Sequence, residues 1–122
     1  MSLLESGQMY LEAIYILSRE KSCVRSIDVA EYMNFSKPSV SRAMGLLKKD
    51  GYLEMDKDNF LHLTDSGRQI AEKIYERHTV LTEVLTRLGV DKDTAARDAC
   101  KIEHDISDAT FDAIKAHLHH IG

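Results

Sequence analysis

At 122 residues, with 43% apolar and 30% charged side chains, the chain has the make-up of a soluble globular protein of one domain or two small ones. Two cysteines, Cys23 and Cys100, cannot frame a disulfide scaffold, so a reducing, cytoplasmic setting is expected. No apolar run approaches the roughly 20 residues of a membrane span, and the N-terminus lacks the basic-then-apolar layout of a signal peptide.

The net charge of −4 argues against a general nucleic-acid coat, but its distribution is uneven. Residues 1–50 carry seven Lys/Arg against six Asp/Glu, whereas residues 51–122 carry nine against fourteen. Between Tyr32 and Lys49 stand Lys37, Arg42, Lys48 and Lys49 with no acid among them. A local cationic segment in an acidic chain suits a targeted phosphate contact.

In chain order, Gly7 to Glu20 places Met9, Tyr10, Ala13, Ile14 and Leu17 at the spacing of an amphipathic helix. Lys21-Ser22-Cys23 breaks it, and Ser26 is the expected cap of a second helix holding Val29, Ala30 and Tyr32. Asn34-Phe35-Ser36 reads as a turn leading to a new N-cap, with Pro38 in the first turn of a third helix. That helix runs through Val40, Met44, Leu46 and Leu47 to Asp50-Gly51, with Gly51 as the left-handed terminator. Tyr52–Met55 and Phe60–Leu63 are strand-like around the polar Asp56–Asn59, which makes a hairpin with a charged tip. Thr64-Asp65 opens a long helix with Ile70, Ala71, Ile74, Val80, Leu81, Val84, Leu85 and Leu88 on its stripe, ending at Gly89. A helix from Asp91 to about Glu103 follows. The last starts at Ser107 or Asp108 and carries Phe111, Ile114, Leu118 and Ile121.

Helix, break, helix, tight turn, helix, hairpin is the order of a winged helix-turn-helix, which reads duplex DNA with the N-terminal end of its recognition helix. Here that end offers Ser36, Lys37, Pro38, Ser39 and Arg42, and Lys57 at the hairpin tip is placed for the DNA backbone. Arg42 has the fork to engage a guanine with two hydrogen bonds, and Ser39 is small enough for close approach. The competing reading is a generic helical bundle with a solvated basic face. For Lys48 and Lys49, partnership with the helix dipole serves as well as DNA contact.

The sharpest local pattern is Cys100-Lys-Ile-Glu103-His104. On a helix these three donors share a face, and a divalent cation relieves the crowding of thiolate, carboxylate and imidazole. Thiolate with imidazole suits Fe2+, Zn2+, Ni2+ or Co2+, and the carboxylate also admits Mn2+. Met9 and Glu12, three apart on the first helix, and His78 on the long helix are further compatible donors. Each also has a packing role open to it: Met9 as core filler, His78 as a structural histidine, Cys100 as a small hydrophobe. Metal binding needs the thiolate and the neutral imidazole, so affinity should fall in acid. Alternatives are a winged helix controlled by a small molecule or by oxidation of Cys100, a small metalloenzyme, and a structural dimerisation module. No separate acid/base motif, Gly-rich phosphate loop or nucleophile elbow supports the enzyme. Cys23 reads as an unpaired loop residue, His62 has no evident partner, and His117, His119 and His120 read as a solvated helix end.

Taken together, Met9-Tyr-Leu-Glu12-Ala-Ile-Tyr15, Ser36-Lys-Pro-Ser-Val-Ser41, Asp50-Gly-Tyr52, Leu63-Thr-Asp-Ser-Gly67, Arg77-His78 and Ala99-Cys-Lys-Ile-Glu-His104 resemble the DtxR/MntR family of metal-dependent transcriptional repressors over nearly the whole chain. The resemblance implies a mainly α fold: a winged helix-turn-helix with a small two-stranded wing over residues 1–64, then a helical metal-binding and dimerisation domain over residues 65–122. It implies a homodimer, outside any membrane, whose metal-loaded form binds a palindromic double-stranded operator with half-sites roughly 34 Å or a multiple of it apart. It also implies that the metal joins the first helix to the dimerisation half.

Met9 and Cys100 match the iron-type members, Glu12 matches the manganese type, and His78, Glu103 and His104 match both. The implied cofactor is Fe2+ or Mn2+, with Zn2+, Co2+ or Ni2+ accepted in vitro. Thr82 and Ala96 stand where an iron-type second site has an acid and a histidine. Longer members continue into an SH3-like domain that is not expected here, and the extra terminal helix of the shorter members is expected to be missing or truncated.

Overall fold

The computed structural model describes residues 5–121. Six helices and one two-stranded sheet follow in the order α1 (Glu5–Glu20), α2 (Ser26–Met33), α3 (Lys37–Lys49), β1 (Leu53–Met55), β2 (Leu61–Leu63), α4 (Asp65–Arg87), α5 (Lys92–Ile102) and α6 (Asp108–Ile121). The chain divides into two compact units, with the boundary inside α4 between Glu72 and Lys73. The Ile121 side chain, expected on the apolar stripe of the last helix, lies outside the described residues.

The first unit is built on the apolar stripes of its helices. Leu11 and Ile14 of α1, Val29 of α2, Val40 and Met44 of α3 and Leu53 of β1 are all buried in one cluster. Ser36 caps α3 by accepting a 3.3 Å hydrogen bond from Ser39 N–H, and Pro38 sits in the first turn as expected. The helix then stops in a Schellman arrangement: Tyr52 N–H donates to the Leu47 carbonyl, Gly51 N–H to that of Lys48, and Gly51 takes φ +85. This claims the Tyr52 amide, and the strand begins one residue later than the sequence pattern indicates.

β1 and β2 pair antiparallel in the register Leu53↔Leu63, Glu54↔His62, Met55↔Leu61. Asp56 shapes the hairpin tip by accepting from Asp58 N–H (2.9 Å) and Phe60 N–H (3.0 Å). It also meets His62 Nε2 at 2.9 Å, so the histidine expected to stand alone has a partner. Where β2 passes into α4, Thr64 Oγ1 donates to the Gly51 carbonyl at 2.7 Å and accepts from Gly67 N–H at 3.2 Å. Gly67 packs so closely on Tyr52 that an added Cβ would stand 2.1 Å from its carbonyl oxygen.

Two local expectations change. Ser26 is the first residue of α2 rather than its cap; Arg25 is the cap, and its N–H donates to Asp28 at 2.8 Å. The Lys21 ammonium also binds Asp28, and with the Arg25 N–H it holds that carboxyl below the ordinary carboxylate range. Tyr32 and Leu46 belong to apolar patterns but are exposed.

In the second unit Val80 of α4 packs with Phe111 and Leu118 of α6, supported by Val84, Ile106 and Ile114. α4 ends in a second Schellman arrangement, Val90 N–H to Leu85 and Gly89 N–H to Thr86, with Gly89 at φ +106. Leu88 falls in that terminus and is exposed. Asp91 caps α5 by accepting from Thr94 N–H, and Ser107 accepts from Thr110 N–H at the start of α6. α5 ends at Ile102, so Glu103 and His104 stand in the turn beyond it. No helix among the described residues is long and apolar enough to cross a membrane.

Candidate nucleic-acid interface and metal centre

α2, the turn at Asn34–Ser36 and α3 form the helix-turn-helix. Asn34 enables the turn by adopting a left-handed conformation (φ 58) that a short polar residue tolerates. Ser36, Lys37, Pro38, Ser39 and Arg42 are all exposed at the N-terminal end of α3, and Lys57 is exposed at the hairpin tip. Ser36 Oγ also donates to Ser39 Oγ at 2.8 Å, so the two hydroxyls form one small polar patch beside the cap. Lys37 and Arg42 make no side-chain hydrogen bond or ion pair with any described residue, leaving both cations available to a ligand. A helix N-terminus with two hydroxyls and two cations has the chemistry to hold a phosphate and reach a base edge.

The candidate metal donors are distributed over both units. In the first, Glu12 is buried on α1 and Met9, three residues earlier, is half-buried. In the second, His78 lies on α4, Cys100 is half-buried on α5, and Glu103 and His104 follow in the turn. Three of these meet directly: His78 Nδ1 is 3.0 Å from Glu103 Oε2, and His104 Nε2 is 3.4 Å from Glu103 Oε1. The Glu103 side chain has no solvent exposure, and its Oε1 accepts no hydrogen bond. A buried carboxylate oxygen without a hydrogen bond is costly, and a coordinated cation offsets that cost. Two imidazoles beside a carboxylate, with a cysteine nearby in sequence, form a donor set that fits a first-row transition metal.

The turn carrying Glu103 is held from α4. The Arg77 guanidinium is buried and donates through Nη1 to the carbonyls of Glu103 (3.1 Å) and Ile106 (2.9 Å). Its Nη2 pairs with Asp108, which also binds Lys73 at 2.9 Å, and its Cζ stands 5.4 Å from the Phe111 ring centroid. Lys73 first, and then Arg77, hold the Asp108 carboxyl below its ordinary range. Residue type and spacing give Arg77 no evident role, yet a signal is present. Arg77 stands three residues after Ile74 on the apolar stripe of α4, where a buried charge demands partners.

Comparison with known proteins accounts for both halves of the chain. Residues 2–61 match the model of the iron-dependent repressor N-terminal DNA-binding domain, and residues 64–122 that of its metal-binding and dimerisation domain. The chain is 38% identical over 109 residues to the HTH-type transcriptional regulator MntR of Geobacillus kaustophilus, covering 89% of this chain and 77% of that protein. The chain belongs to the DtxR/MntR family of metal-dependent transcriptional repressors. It is therefore a regulator with a DNA-binding and a dimerisation domain, and not an enzyme.

A second relative is MntR of Lysinibacillus sphaericus, 34% identical over 109 residues, covering 89% of this chain and 78% of that one. Among solved structures, this repressor is similar to a manganese-dependent transcriptional repressor in complex with manganese (TM-score 0.84, 29% identity, 93% of this chain and 52% of that one). It is also similar to the manganese regulator SloR (TM-score 0.81, 26% identity, 98% and 55%). The chain spans about half the length of these two solved structures.

Proposed function

We propose that this repressor takes Fe2+ or Mn2+ on Met9, Glu12, His78, Cys100, Glu103 and His104, and that the loaded homodimer binds a palindromic operator in the cytoplasm. Residues 1–64 act as the DNA-reading module and residues 65–122 as the metal-binding and dimerisation module. Ser36, Lys37, Pro38, Ser39 and Arg42 contact the major groove, and Lys57 the backbone beside it. The observation carrying this reading is the Glu103 carboxylate, buried between two imidazoles with one oxygen lacking a hydrogen bond. Donors contributed by both units make the cation a ligand of one arrangement of the repressor. Differential affinity of that kind shifts a conformational equilibrium and with it operator affinity. Met9 and Cys100 are soft donors that favour Fe2+, whereas Glu12 and Glu103 are hard donors that also suit Mn2+.

The test is an anaerobic operator-binding titration with no metal, Fe2+, Mn2+ or Zn2+, repeated with Glu103→Gln. Metal should tighten operator binding in the wild type and fail to do so in the variant. Equal operator affinity with and without metal would refute the gating.

A further inference from the structure

One concave surface of the first unit lies outside the sites described above. The end of α1, strand β2 and the first turns of α4 enclose an open, mainly polar cleft of about 500 Å³, lined by Ser18, Arg19, Ser22, His62, Arg68 and Glu72 among others. The Arg68 guanidinium makes no hydrogen bond or ion pair with any described residue, although Glu72 stands four residues further along the same helix. Arg19 is oriented by Tyr15, with its Cζ 5.6 Å from the ring centroid. His62 keeps its Nε2 on Asp56, which occupies that nearby carboxylate. The lining thus sets two guanidinium forks and two serine hydroxyls against the Glu72 carboxylate, in a chain whose net charge is −4. Guanidinium forks and hydroxyl donors converging on a concave surface match an oxyanion with several acceptor oxygens.

We propose that this cleft binds a phosphate group, with Arg19 and Arg68 as its charged donors and Glu72 as the group that limits its affinity. The phosphate belongs either to a small free ligand or to a DNA backbone. The site uses only first-unit residues and does not depend on the metal reading above.

The test is a titration of the 122-residue chain with inorganic pyrophosphate at constant ionic strength, followed by amide NMR shifts. Saturable shifts should gather at residues 18–22, 61–63 and 68–72. Arg68→Gln should weaken binding about tenfold, the loss of one charge-assisted contact. Glu72→Gln should tighten it. Both substitutions are at exposed positions, and unchanged thermal unfolding will show that the fold persists. Equal shifts at Lys48, Lys49 and Lys92, or affinity unaffected by either variant, would mean a diffuse ion atmosphere and overturn the proposal. The source of the phosphate is read from operator binding against salt concentration. If DNA supplies it, Arg68→Gln lowers the logarithmic salt slope by about one. If the slope is unchanged while pyrophosphate still binds the wild type, the ligand is a small free phosphate.

Discussion

Replacing Arg77 with methionine tests how the Glu103 turn is held. Methionine keeps the length and apolar stem of the side chain and removes the guanidinium. Two carbonyls, those of Glu103 and Ile106, then lose charged donors at 3.1 and 2.9 Å. Hydrogen bonds to a charged group contribute about 1.5–3 kcal/mol each. The lost pair with Asp108 adds little, because Asp108 is two-thirds exposed and re-solvates. Arg77 Nε is itself buried without a hydrogen bond, and removing it recovers about 1–3 kcal/mol of desolvation. The net destabilisation expected is about 2–4 kcal/mol, since the two lost bonds outweigh the recovered term. Urea unfolding of the metal-free chain measures it as a lower midpoint at unchanged slope. A metal titration of the same variant should show weakened affinity, because the Glu103 backbone loses its anchor. Stability within about 0.5 kcal/mol of the wild type, the range of an ordinary surface substitution, together with unchanged metal affinity, would refute the assignment of Arg77 as the anchor.

Gly67→Ala should destabilise the first unit by about 1–3 kcal/mol, because the new methyl meets the Tyr52 carbonyl backbone rather than a movable side chain; thermal unfolding checks this. Arg42→Ala should weaken operator binding by about 1–3 kcal/mol and relax sequence preference at one base pair, while leaving metal affinity unchanged; competition binding with singly mutated operators reads both effects. The depressed pKa of Asp108 gives a contribution to stability that is present above the unfolded carboxylate value of about 3.9 and is lost as pH falls through the lower folded value. Acid unfolding followed by circular dichroism should therefore be less steep below about pH 4 in Asp108→Asn than in the wild type. An identical acid limb in the two proteins would remove Asp108 from the account.

Features set by near neighbours in the chain were legible in the sequence. Ser36 with Pro38, the stops at Gly51 and Gly89, and the polar hairpin tip after Met55 each depend on residues within one turn, and each appears where the pattern places it. The donor types at Glu103 and His104 were legible for the same reason. Their arrangement was not, because it depends on contacts far along the chain. The spacing Cys100-x-x-Glu103-His104 supports a shared helical face only while the helix continues: Glu103, the C-cap of α5, keeps helical dihedrals and donates its N–H to the Ala99 carbonyl, whereas His104 lies in the turn beyond. Beyond that point helical periodicity no longer fixes the direction of His104, and it does not tell what holds Glu103. The constraint comes instead from Arg77 and His78, 26 and 25 residues earlier on α4. His62 shows the same limit on a smaller scale: its Asp56 partner is six residues away and is reached only because the strands pair in their observed register. Leu46 and Leu88 show the converse, apolar residues at helical spacing that the packing leaves exposed. Adjacent residues on α4 thus divide the work at the turn: Arg77 fixes the Glu103 backbone by its carbonyl, and His78 meets the carboxylate. A substitution at Arg77 should therefore displace the donor without altering the donor set, whereas one at His78 should alter the set without freeing the turn.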